Sequence, residues 1–207
     1  MFTWIPAYQQ IAQHLLRYEN RQWKLITALQ SIGIANLNDE DAAGNTVPLT
    51  EIDGFTFLRY LNRYGKEKRL QQLQALCTKW NITPLPTDIE GLPEVSALNV
   101  WLFPAKAQRN NAEIQKLWAF FKAVLEDALT DELFAEMLAI NGTGKVKLTE
   151  AMYLLRPDQY LCLNRTVKSY LQSAHLSADF TNLSTYLTVI QKAKAVFSKS
   201  FPEIVKA

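Results

Sequence analysis

The stretch LTEAMYLLRPDQYLCLNRTVKSYL, Leu148 to Leu171, sets Arg156, Arg165 and Lys168 around a break between two helical patterns. Cations gathered at a helix start have the chemistry of an anion site. Pro157 stops the first helix, since it lacks an amide donor and restricts Arg156 before it. Asn164 is placed to cap a second helix running from Arg165. A phosphate there would meet free amides, the positive end of the helix dipole, Arg165 and Lys168, with Arg156 able to join. The competing reading is structural: Arg156 pairs with Asp158 and the elbow is scaffold whose helix start caps itself.

A second basic group lies between Arg59 and Arg69, where five cations, among them Arg59, Arg63 and Lys66, accompany one acid. It reads either as a solvated face or as a phosphate-facing strip. Trp4, Trp101 and Tyr160 are the aromatic residues that could contact a base, or else serve the core. Catalytic constellations are missing: there is no GxSxG, no HExxH and no Cys beside a His. His14 reads as a boundary residue, and Glu126 and Asp127 as helical surface charge. Gly144-Lys145 suggests a phosphate loop, but Ala139 stands where that loop needs its first glycine and Val146 where it needs Ser or Thr. Asp39, Asp41 and Gly44 begin a calcium-loop pattern, yet the twelfth place is Thr50 rather than a bidentate acid. Cys77 and Cys162, with His14 and His175, have no metal-ligand spacing, so no metal and no cofactor is expected.

These side chains need a framework, and 207 residues with 48% hydrophobic and 11% aromatic content can build one sizeable core. The formal charge of +2 does not by itself point to nucleic acid; the cations lean to the second half, with thirteen Lys and Arg against ten Asp and Glu after Phe103. No apolar run approaches the roughly 18 residues of a membrane span, and the start has no basic, apolar leader, which predicts a soluble, cytoplasmic chain with no membrane partner.

Apolar residues at helical spacing predict helices with Pro6 in the first turn, from about Arg21 with Trp23 inward and Gly33 as its C-terminal cap, on either side of Gly65, after Asn111, after Thr130, on both sides of the elbow, and from Asn182 to Ser198. Residues 36–54 read as a loop. Residues 81–108 hold four prolines and a glycine and read as a long connection or hinge with a short strand around Val100 to Phe103. The fold class is therefore all-α: a compact nine-helix domain over 1–207, with a Pro-rich connection near 82–110 as its one place for a sub-division and a helix-elbow-helix in its C-terminal third.

Four stretches, FTWIPAYQQIAQHLL, IDGFTFLRYLNR, PTDIEGLPEVSALNVWLF and AMYLLRPDQYLCLN, resemble in their order and spacing the N-terminal domain found on a subset of McrB-type AAA ATPases. The resemblance implies a DNA-recognition domain, often specific for a modified base, that serves an AAA+ motor and an McrC-like nuclease subunit. This chain carries no Walker motif, so no NTPase or nuclease activity is expected of it. Asn164 stands where the family pattern has Asp, which puts in doubt any role there that needs a carboxylate. Under this reading Arg156, Asn164, Arg165, Lys168, Arg59, Arg63 and Lys66 face DNA phosphates, and Trp101, Trp4 and Tyr160 are the base-contacting aromatics. The rival is a protein-interaction or oligomerisation module of the same system; a distant similarity to the elbow of helix-hairpin-helix glycosylases is third, without their catalytic Asp.

Overall fold

The computed structural model describes residues 2–110 and 112–207 and is mostly α-helical, as the apolar spacing predicts. Among the described residues there are ten α-helices: α1 (Trp4–Leu15), α2 (Gln22–Ser31), α3 (Gly54–Tyr60), α4 (Lys66–Lys79), α5 (Glu113–Leu125), α6 (Asp131–Ala139), α7 (Gly144–Leu155), α8 (Arg165–Ser173), α9 (Leu183–Phe197) and α10 (Phe201–Lys206).

Two of them form the centre. Every residue of α3 is buried, and α7 is buried without interruption from Leu148 to Leu155. Helices buried on every side belong in the middle of a core, their buried charges Arg59 and Glu150 pairing with each other, and α7 packs against α1, α3, α5 and α6. Gly54 opens α3 because the Phe121 ring of α5 leaves no room: a Cβ there would lie 2.6 Å from a ring carbon. Asp53 caps the same end, its carboxylate accepting from the Phe55 and Thr56 amides.

The caps fall where the residue types place them. Gly33 turns the chain out of α2 at φ +80°, Gly65 precedes α4, Thr130 accepts from the Leu133 amide, and Asn182 forms a capping box with Thr185. The helix expected after Asn111 begins at Glu113; Asn111 itself lies outside the described residues.

Four details differ from expectation. The polar segment 36–54 contains a short antiparallel hairpin, β1 (Asn38–Glu40) with β2 (Thr46–Pro48). Its Asp39 is buried against Arg109, and Asp41 accepts from the Ala43 and Asn45 amides to close the turn. No strand forms at Val100 to Phe103; a 3₁₀ turn, Ala97–Asn99, precedes it, and Arg59 takes the carbonyl of Val100. Trp23 points outward, 59% exposed, since Leu25, Ile26, Ala28 and Leu29 form the buried stripe of α2. The tenth helix follows Ser198, which closes α9 at φ +50°, and it is held by a Ser200–Glu203 capping box.

The Pro-rich connection is not a slack linker. Ile82, Ile89, Leu92, Val95, Val100, Leu102 and Phe103 join the same core as the helices. The Trp4 indole donates to the Glu90 carbonyl at 2.7 Å and the Tyr153 hydroxyl to that of Gly91 at 2.6 Å. Cys77 and Cys162 are buried free thiols, and burial pushes the Cys77 thiol up to about 11. Among the described residues no three His, Cys, Asp or Glu side chains gather in a metal-binding group, and no helix is long and apolar enough to cross a membrane.

Candidate functional site

At the elbow α7 ends at Leu155 and the chain crosses to α8 through buried Leu161, Cys162 and Leu163. The Leu161 amide donates to the Tyr186 hydroxyl at 3.0 Å, which in turn donates to the Leu161 carbonyl at 2.8 Å. The Leu163 amide donates to Thr149 Oγ1 at 3.1 Å. Asn164 then accepts from the Val167 amide at 3.0 Å. The turn is thereby fixed, and the α8 amides of Arg165 and Thr166 are left for solvent or a ligand. Arg165 is exposed and Lys168 half-buried, and neither has an acidic partner among the described residues. Arg156 is used differently: it donates to the Leu125 carbonyl at 3.3 Å and lies 3.7 Å from Asp158, the structural alternative weighed above.

The start of α8 shares a shallow cavity of about 330 Å³ with Lys66, Arg69 and Lys206. Glu90 stands among them and pairs with both lysines, whose ammonium groups hold its carboxyl below the usual range. Lys66 is therefore brought next to Asn164, but its charge is largely offset.

A second cavity, about 350 Å³, opens between α3, the hairpin and the connection. Trp101 and Tyr60 form its aromatic wall: the Trp101 indole donates to the Tyr60 hydroxyl at 2.8 Å, and Trp101 stacks on Phe103 with centroids 5.4 Å apart. Because the Tyr60 oxygen is the acceptor in that bond, its own proton is free to donate. Burial raises the Tyr60 phenol, so it stays neutral. Arg63 lies over the Tyr60 and Tyr64 rings, held by the Ala35 carbonyl and the Tyr64 hydroxyl. Lys147 is positioned by donation to the carbonyls of Trp101 at 2.9 Å and Gly142 at 2.6 Å; burial, then the nearby Arg59 charge, lowers its ammonium. Asn36 and Asn38 complete the polar rim, and no acid lines the cavity. A concave aromatic wall with two cations, two carboxamides and one free hydroxyl suits a flat, polar, anion-bearing ligand.

Of the residues proposed from sequence, Trp101 and Arg63 meet in this cavity, while Asn164, Arg165 and Lys168 remain together on α8. The others are corrected. Arg59 is 1% exposed and its guanidinium is used up by Glu150, Asn99 and Val100, so it cannot reach a phosphate. Trp4 is 0% exposed and packs edge-on against Tyr8. Tyr160 stacks on Tyr186 and borders a different cavity, with Asp127 and Asp158. Asp127 lies past the end of α5 at φ +58° rather than on the helix. Sequence reasoning missed Tyr60, Lys147, Asn36 and Asn38. Lys147 sits in the Gly-Lys stretch already set aside as a failed phosphate loop, and Tyr60 is indistinguishable from its core neighbours on α3.

The fold and these sites define a single-core, mostly α-helical domain with two cation-bearing surfaces. A family model described as Domain of unknown function (DUF8425) matches residues 4–207, and the chain belongs to that family. No curated protein and no solved structure matches it.

Proposed function

We propose that this chain is a DNA-binding specificity domain that takes double-stranded DNA and reads a base, modified or not, in the cavity walled by Trp101 and Tyr60. The observation that carries the reading is that cavity's lining: aromatic surface, Arg63, Lys147 and two carboxamides with no carboxylate among them. Phosphate contacts from Arg63, Arg165 and Lys168 would position the duplex, and the Asn36 and Asn38 amides and the Tyr60 hydroxyl would meet a base edge. The sequence resemblance adds the setting, in which the domain serves an NTP-driven motor and an McrC-like nuclease subunit.

The test is binding to duplexes, unmodified or carrying methylated or hydroxymethylated cytosine or methylated adenine, at two salt concentrations, with Arg63→Glu and Arg165→Glu alongside. Affinity should fall steeply with salt, and each charge reversal should lower the salt slope by about one. A preference among the duplexes would identify the base read. No binding at low salt would overturn the reading.

A protein-docking role is the second reading. It is favoured by the cavity of about 390 Å³ beside the elbow, where Leu129, Leu183, Leu187, Ile190 and Phe201 supply an apolar lining. Association through its apolar part would depend far less on salt than phosphate binding does.

A further inference from the structure

Leu98 is 94% exposed, far more than any other large apolar side chain among the described residues. A single exposed leucine is ordinarily unremarkable; the backbone beneath this one is not. It sits in the Ala97–Asn99 turn, closed by donation from the Asn99 amide to the Ser96 carbonyl at 2.9 Å. Just before the turn, the Val95 amide donates to the Asn62 carbonyl at 2.9 Å. Just after it, buried Arg59 donates to the carbonyls of Asn99 at 2.7 Å and Val100 at 2.9 Å. A guanidinium buried in the core thus braces the base of a surface turn whose tip is apolar, so little further ordering is needed when that tip meets a partner.

The tip also stands between two cavities. Leu98 itself lines the aromatic one with Arg63 and Lys147. On the other side Ser96 and Asn99 line a cavity of about 470 Å³ with Lys145 and again Lys147; its two acids are Glu94 and Glu150, and Glu150 is engaged by Arg59. An apolar point with Arg63, Lys145 and Lys147 around it, against the single free carboxylate of Glu94, keeps an excess of positive charge and matches the part of a duplex where stacked bases lie between two phosphate strands.

We propose that Leu98 is a wedge that enters the base stack of the bound duplex, unstacks one step and kinks the helix. The inference rests on the DNA reading above. Wedging needs an apolar side chain presented rigidly beside phosphate-neutralising cations, and the Leu98 turn supplies both.

The experiment compares the full chain with Leu98→Ala and Leu98→Met on two duplexes, one fully paired and one with a central mismatch, each carrying 2-aminopurine at the target step. Wild type should brighten the 2-aminopurine and favour the mismatched duplex by roughly tenfold, because an already weakened step is cheaper to open. Leu98→Met should behave like wild type. Leu98→Ala should keep salt-sensitive binding yet lose both the brightening and the preference. If Leu98→Ala brightens and discriminates as wild type does, or if wild type binds salt-sensitively without brightening, the wedge is refuted while the DNA reading stands. Absence of any duplex binding by wild type refutes both. Equal, salt-insensitive weakening of both duplexes by Leu98→Ala refutes the wedge and makes the turn a protein contact.

Discussion

Replacing Arg59 with methionine should be among the most damaging single changes in this protein, through folding and not through lost phosphate contact. The guanidinium makes three donations from the interior: to Glu150 Oε2 at 2.7 Å, to the Asn99 carbonyl at 2.7 Å and to the Val100 carbonyl at 2.9 Å. Methionine fills much of the volume but leaves the Glu150 carboxylate, only 10% exposed, without its cation. Breaking a buried pair from one side costs about 3–5 kcal/mol, most of it the penalty of the orphaned charge. At this chain length 1 kcal/mol shifts Tm by roughly 2–4 °C, so a fall of about 6–20 °C is expected.

A double-mutant cycle separates the causes. Arg59→Met/Glu150→Leu removes the orphaned carboxylate, so it should recover a large part of the loss, leaving mainly the two unpaired carbonyls. The assay is urea unfolding of wild type, both single variants and the double variant, with equal slopes confirming that midpoints report stability. A destabilisation by Arg59→Met of less than about 1 kcal/mol, or a double variant as unstable as the two singles added together, would refute the claim that Arg59 and Glu150 form one coupled buried unit.

Gly54→Ala should destabilise by about 1–3 kcal/mol, read as a lowered urea midpoint, because its Cβ would lie 2.6 Å from a carbon of the fully buried Phe121 ring, which would have to shift within a packed core. Asp53 gives a pH signature. Burial raises its carboxyl above the ordinary 3.8, outweighing the Thr56 and Phe55 hydrogen bonds that lower it. The folded protein therefore keeps this proton to higher pH than the unfolded chain, and the group's contribution falls as pH rises from the ordinary value through the raised one. Asp53→Asn keeps a cap acceptor but cannot ionise, so its stability relative to wild type should improve as pH rises from the ordinary carboxyl value through the raised one, whereas Asp53→Ala loses the cap and about 0.5–2 kcal/mol. A pH-independent difference for Asp53→Asn, measured by unfolding at each pH, would contradict this.

Much of the fold was legible because helix periodicity and cap chemistry are local. Pro6, Gly33, Gly65, Thr130, Pro157, Asn164 and Asn182 each act within a few residues of themselves: Pro6 lies in the first turn of α1, and each of the others terminates or starts a helix as its type requires. What failed was non-local. The pairing of β1 with β2 spans a turn whose residues read equally well as loop. The inward face of α2 excluded Trp23 only because its neighbours form the buried stripe. The Val100 to Phe103 stretch has strand-like residues, but no strand pairs with it, and Arg59 of α3 takes the Val100 carbonyl. The aromatic cavity draws its wall from α3, the hairpin, the connection and α7, four segments that no spacing rule connects.

Charge shows the same limit most clearly. The five cations between Arg59 and Arg69 look like one strip, yet the fold divides them among four uses. Arg59 and Arg69 are interior, the first on Glu150, the second donating to the carbonyls of Leu92 and Pro93. Lys66 is on the surface but tied to Glu90. Arg63 lines the acid-free cavity, and Lys68 lies over the Tyr64 ring. Counting positive residues therefore overstates the strip as a phosphate surface. Affinity for a polyanion follows the cations left unneutralised at the surface. By that measure the weight moves to the cavity of Arg63 and Lys147 and the exposed start of α8, with the braced Leu98 turn reaching out beside the first of them.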